Sequence, residues 1–225
     1  KELNLQCPVN ASKDLTSKQM MLLCIEEFKR NNREKVNLIW LEATGCSGNI
    51  ISLMDGENPD IAFFIQQVVN LRYDNSLMTA QGEAAYELFL SILETDFILV
   101  VEGAVATKDN GLYNIFAYYK GRHITVMEAV AMAGAKARHV FAVGTCASYG
   151  GPSAARPNPS GSVSVPEFLS RQVIRIPGCP SHPDWAIGTI ATTLAFSVPE
   201  LDSQGRPVMF YGVTIHDRCN RRSFF

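Results

Sequence analysis

Three cysteines stand in settings that suit soft-metal chemistry. Cys46 lies in "TGCSGN", Cys146 in "VGTCASYGG" and Cys179 in "PGCPSHP". Each has glycine or proline close by. Glycine lets the backbone approach a bulky group, and proline stiffens the loop that presents the thiol. Thiolate donors suit iron–sulfur clusters and zinc, whereas magnesium and calcium take oxygen donors. One such cysteine is more often a small buried hydrophobe. Three in like settings argue for a shared metal or cluster site. A thiol redox pair has little support because no C-x-x-C is present: the third position after Cys46 is Asn49.

Other residues are weaker candidates. Glu102 closes the apolar run "FILVVE"; it caps a helix, sits in solvent, or supplies a hydrogen-bonded or proton-passing group at a site edge. His216 and Cys219, in "HDRC", have a spacing that reaches one metal from a turn, but a lone H-x-x-C is a low-specificity signal. Cys24, in "QMMLLCIEEF", fits the apolar face of a helix and reads as a buried, inert thiol. Cys7 receives no role.

The elements that must position these groups alternate strand and helix. Residues 15–31 carry apolar residues at helical spacing after possible caps at Thr16 and Ser17. "VNLIWLE" then reads as a strand buried on both faces. "EAAYELFLSILET" leads into "FILVVEGA", "TVMEAVAMAGAKA" into "HVFAVGTCA", and "VIRIPG" precedes the helical "PDWAIGTIATTLAF". This alternation predicts an α/β domain with a mainly parallel sheet. The predicted strands are followed by Cys46, or end at Glu102, Cys146 and Cys179. In an open parallel sheet the carboxyl ends share one edge, where such folds place ligands. Cysteines far apart in sequence therefore converge. The stretches "KDNGLYNIFAYYKGRH" and "GGPSAARPNPSGSVSVPEF" read as long loops, and "GLYNIFAYY" of the first and the whole of the second, 150–168, as candidate partner surfaces.

Composition sets bounds on function. The 225 residues, 47% hydrophobic and 19% charged with net charge −2, describe a globular chain with no basic excess to attract nucleic acid or anionic lipid. No apolar run reaches the roughly 18–20 residues of a membrane span. A cytoplasmic location is the favoured expectation, with membrane association and export after signal removal left open.

The strings "NLIWLEATGCSGN", "LVVEGAV", "AVGTCASYGG", "IPGCPSHP" and "HDRC", in this order and spacing, resemble the small, electron-transferring subunit of nickel-iron hydrogenases. The resemblance covers residue 36 to the end, and "CSGN" looks like the uptake-type variant. It implies a flavodoxin-like domain over residues 36–205 with helices on both faces, a helical extension over 1–35, and over 206–225 the start of a C-terminal cluster-binding segment that is cut short here. It implies a proximal iron–sulfur cluster on Cys46, Cys146 and Cys179, with Glu102 as the strand-end glutamate near the subunit contact. It also implies that His216 and Cys219 are the first two ligands of a distal cluster. The nickel would belong to a large partner subunit, and electrons would pass on to an external acceptor protein. At Asn49 the family pattern has a second cysteine. Three thiolates suit a [3Fe-4S] centre; a [4Fe-4S] centre would take a fourth ligand from Asn49, water or another residue. The cysteine-rich stretch that completes the family's distal and medial clusters does not follow "HDRC" here.

Two other functions compete with the electron conduit. A cluster-poor subunit that binds and stabilises a large partner is suggested by the missing C-terminal ligands. A flavodoxin-like FMN protein is suggested by fold alone, but the turn holding Cys46 has few hydroxyls to cradle a phosphate.

Overall fold

The computed structural model describes residues 17–31, 34–57, 59–219 and 221. Thr16 and Cys7 lie outside the described residues. Among the described residues nine strands form, in chain order β1 Val36–Glu42, β2 Val69–Asp74, β3 Phe97–Glu102, β4 Val105–Ala106, β5 Ile115–Tyr119, β6 Arg122–Thr125, β7 Val140–Val143, β8 Ser162–Val163 and β9 Ile174–Ile176. Five make the main sheet, in the order β2-β1-β3-β7-β9, with every pairing parallel. Counted among themselves these five run 2-1-3-4-5, the flavodoxin-like order, whose ligand crevice opens where the strand order reverses. That reversal falls between β1 and β3.

Alternating side chains explain why the sheet is covered on both faces. Ile39, Leu41, Leu99 and Val101 pack with Phe89 of the Gly82–Ile92 helix and Val130 and Ala133 of the Val126–Lys136 helix. Leu38, Trp40, Ile98 and Val100 pack on the opposite face with Ile187 and Ile190 of the Pro183–Ala195 helix. The Ser17–Asn31 helix adds Cys24 and Phe28 to this second cluster, and the Cys24 thiol lies 3.2 Å from Thr192 Oγ1. All six residues of β3 are buried. Each fully buried Val, Leu, Ile or Phe contributes roughly 1.5–3 kcal/mol, so this central strand anchors the fold.

The structure changes four local expectations. β2 is an extra strand, formed on the half-polar sequence "VNLRYD". A short helix, Gly48–Met54, begins inside the first cysteine motif. Most of the expected loop after β3 is a hairpin of β5 and β6, turned by Lys120 and Gly121, both with positive φ. Cys146 lies in a helix, Gly144–Tyr149, rather than at a strand end; β7 stops at Val143.

One irregularity in the sheet matters later. β1 and β2 pair Leu38 with Leu71 but then Ile39 with Tyr73 and Trp40 with Asp74, so the register slips by one residue. The bulge moves Tyr73 onto the Ile39 face and Asp74 onto the Trp40 face.

Candidate metal centre

The loops that follow β1, β3, β7 and β9 meet above the carboxyl edge and are hydrogen-bonded to one another. Ala43 N–H donates to Glu102 O at 2.6 Å, and Thr44 donates through both N–H and Oγ1 to Ala104 O, at 3.1 and 2.9 Å. Thr145 N–H donates to Gly178 O at 2.8 Å, and Gly178 N–H donates back to Thr145 Oγ1 at 3.2 Å. The first pair ties the Cys46 loop to β3, and the second ties the Cys146 helix to the Cys179 loop. The close approach depends on glycine. Gly103 has φ +94°, and a Cβ there would collide with the backbone of Thr44 and Gly45.

Glu102 is 1% exposed and accepts four hydrogen bonds. Asn49 N–H and Nδ2 donate to Oε1 at 2.9 and 3.0 Å; Ile50 N–H and Trp40 Nε1 donate to Oε2 at 3.1 and 3.4 Å. Two of these donors are free N–H groups in the first turn of the Gly48–Met54 helix, the place where a carboxylate is most favourable. Of the alternatives open from sequence, helix capping is therefore present and solvent exposure is not. Asn49 extends the connection: its Oδ1 accepts from Ser181 N–H at 2.8 Å, in the loop just after Cys179. Its amide also fills the space beside Gly144, where φ is +86° and a Cβ would strike the Asn49 side chain. Asn49 thus touches three of the four loops.

The three cysteines of the predicted set occupy this edge. Cys46 and Cys179 are exposed and Cys146 is half-buried. Burial first, then the nearby Cys179, Cys46 and Glu102, push the Cys146 thiol above its ordinary value. That mutual influence places the three sulfurs and the glutamate in one electrostatic neighbourhood. Among the described residues no three His, Cys, Asp or Glu side chains close around a single metal ion. The donors come instead from three separate loops. The space beside them is lined by glycine, since a Cβ on Gly48 would meet Cys46 Sγ at 3.0 Å and one on Gly151 would press on Cys146 Sγ. Soft, separated thiol donors around a glycine-lined opening fit an iron–sulfur cluster better than an isolated ion.

His216 and Cys219 lie elsewhere, in the single turn His216–Arg218 and at its end. His216 is exposed, and the turn is held by Asp217 Oδ2, which accepts from Thr214 N–H and Oγ1 at 2.9 and 2.7 Å. Sequence reasoning missed Ser181, Trp40 and Gly144, whose parts depend on partners distant along the chain. The strict neighbour of a cysteine motif, "CPS", was the one available signal for Ser181.

A five-stranded 2-1-3-4-5 sheet that carries three thiols on the loops at its carboxyl edge defines a thiol-bearing, flavodoxin-like α/β chain. The family model described as NADH ubiquinone oxidoreductase, 20 Kd subunit, matches residues 46–193, and the chain belongs to that family. It is similar to the small subunits of nickel-iron hydrogenases. It is 35% identical over 206 residues to the periplasmic [NiFeSe] hydrogenase small subunit of Desulfomicrobium baculatum, covering 83% of this chain and 65% of the relative. It is 35% identical over 195 residues to the periplasmic [NiFe] hydrogenase small subunit of Solidesulfovibrio fructosivorans, covering 86% of this chain and 60% of the relative. The chain thus spans less than two thirds of each. The solved [NiFeSe] hydrogenase of Desulfovibrio vulgaris Hildenborough superposes with a TM-score of 0.79 at 33% identity, over 85% of this chain and 75% of that one.

Proposed function

We propose that this chain is the electron-transfer subunit of a nickel-iron hydrogenase. It would carry electrons between a large subunit that activates H2 and an external acceptor protein. The observation that carries the proposal is the convergence of the Cys46, Cys146 and Cys179 loops, interlocked through Glu102 and Asn49, at the ligand crevice of a fold similar to hydrogenase small subunits.

A cluster bound here would supply one-electron acceptance and release. The chain's own residues would do the rest. Cys46, Cys146 and Cys179 would hold it, and the glycines would leave room for it. Glu102 would fix the helix that follows Cys46 rather than ligate. Asn49 uses both ends of its amide on protein partners, which favours a bracing role and a three-thiolate [3Fe-4S] centre. His216 and Cys219 would begin a distal centre. The boundaries 1–35, 36–205 and 206–225 are part of the same proposal. Among the described residues no helix is long and apolar enough to cross a membrane. The relatives named as periplasmic favour export over the cytoplasmic expectation.

The test is an anaerobic preparation analysed for iron and sulfide and by electron paramagnetic resonance, alone and with Cys146→Ser. An oxidised three-iron signal that the substitution removes, together with dye-linked H2 oxidation, supports the conduit. Full H2–dye activity in C146S would instead favour the cluster-poor stabilising subunit.

A further inference from the structure

Three carboxylates end three adjacent strands. Glu42 closes β1, Asp74 closes β2 and Glu102 closes β3. Glu42 and Glu102 are register partners, so they point to one face, and Trp40, two residues before Glu42, shares it. Asp74 is there only because of the bulge: it pairs with Trp40, whereas an unbroken register would have sent it to the other face. Bulges re-aim side chains and concentrate near active sites.

The hydrogen bonding of this group is incomplete. Glu102 is fully engaged, as described above. Glu42 accepts from Ser47 Oγ with Oε2, but its buried Oε1 has no partner among the described residues. Asp74 is 1% exposed; its Oδ1 accepts from Ser76 and Leu77 N–H at 2.7 and 2.8 Å, while its buried Oδ2 has no partner among the described residues. An unmatched buried carboxylate oxygen is costly, and a proton is the smallest group that relieves it. The charged groups acting on Asp74 are Glu42 from β1 and Glu102 from β3, Asp74 in turn acts on Tyr73 of its own strand, and the helix Gly48–Met54 contains no charged residue. Burial above all, and then Glu42 and Glu102, push its carboxyl up to about 6, against the downward pull of the two N–H donors.

We propose that Asp74 takes up a proton when an electron arrives at the Cys46–Cys146–Cys179 site and releases it when the electron leaves. The inference rests on the cluster reading of that site. One electron enters, from H2 oxidised in the large subunit or from dithionite in the test, and one proton comes from solvent to form an O–H bond on Asp74. The charge added at the site is thereby balanced one strand away. Glu102 acts on both Asp74 and Cys146 and so links the two places, which makes Asp74 a charge-compensating residue and not a ligand.

The experiment is a dithionite–ferricyanide titration of the isolated holo complex, following the first-site paramagnetic signal at pH values on both sides of the Asp74 value. Above that value the midpoint potential should fall by up to about 59 mV for each tenfold drop in proton activity. Asp74→Asn should lose the slope and keep the signal. A flat profile in the unmodified protein, or an unchanged slope in D74N, would overturn the inference while leaving the cluster in place. Absence of any iron signal would instead remove the proposed function, and this inference with it. If D74N fails to assemble, infrared difference spectra of the unmodified protein decide. A protonated-carboxyl band that grows on reduction and moves with isotope-labelled aspartate supports Asp74; no band, or one that moves only with labelled glutamate, rejects it.

Discussion

Two buried carboxylates at the same sheet edge have opposite character. Glu102 has as many donors as it can use, so Glu102→Gln would turn an NH2 group toward N–H donors. The variant should lose about 1–3 kcal/mol of stability, read as a lower urea midpoint. Asp74 is the reverse case. Its folded value near 6 exceeds the ordinary 3.8, so the folded state binds the proton more tightly than the unfolded chain does. Stability attached to that proton is present below about pH 4, declines as pH rises through 6, and is absent above. Asn keeps an oxygen for the Ser76 and Leu77 N–H groups and carries no charge. D74N should therefore be more stable than the parent at neutral pH, by at most about 3 kcal/mol, with the gap closing in acid. Urea titrations at a series of pH values check this. Asn49 adds a third expectation at this scale. If it braces without ligating, Asn49→Cys should convert the proposed three-iron signal into a four-iron one, and Asn49→Ala should loosen the Cys179 loop without adding iron.

Among the elements, the strands that are buried on both faces were legible because continuous apolar runs such as "VNLIWLE" and "FILVV" have few alternatives. β2 was not legible, since an edge strand with one bulge breaks the period on which such a reading depends. The Gly48–Met54 helix was hidden for another reason: its start is the cysteine motif itself, and its capping carboxylate, Glu102, arrives from a strand 53 residues away. The convergence of three cysteines followed from topology alone. The role of Asn49 did not, because its partner Ser181 is 132 positions distant. The glycine at the β3 end makes this scale testable. Gly103→Ala would drive a side chain into the Thr44–Gly45 backbone and force a left-handed residue to carry a Cβ, costing about 1–3 kcal/mol for the strain alone. Iron content of the purified variant should fall together with its thermal midpoint.

The whole molecule presents apolar groups where a partner would be needed. Leu112 and Tyr113 are 57% and 53% exposed, and Ile115 and Tyr118 of β5 are 42% and 57% exposed. They lie in the stretch expected from sequence to meet a partner, and they join other exposed apolar side chains such as Ile51, Met54 and Ile215 as candidates for an interaction surface. Leu112→Glu with Tyr118→Glu should leave the urea midpoint of the chain within about 0.5 kcal/mol, as for other surface changes. The same pair should reduce co-purification of the proposed nickel-containing partner. Retention of the partner at parental yield would place the contact elsewhere.

The interlocked loops also bear on how a cofactor would enter. Their hydrogen bonds run from loop to loop and to Glu102, with no metal needed to complete them. If the loops keep these bonds without a cluster, little ordering entropy would be left to lose at capture, in contrast to small metal-dependent domains that fold only when loaded. Capture would then be a docking event, with entry past the exposed Cys46 and Cys179.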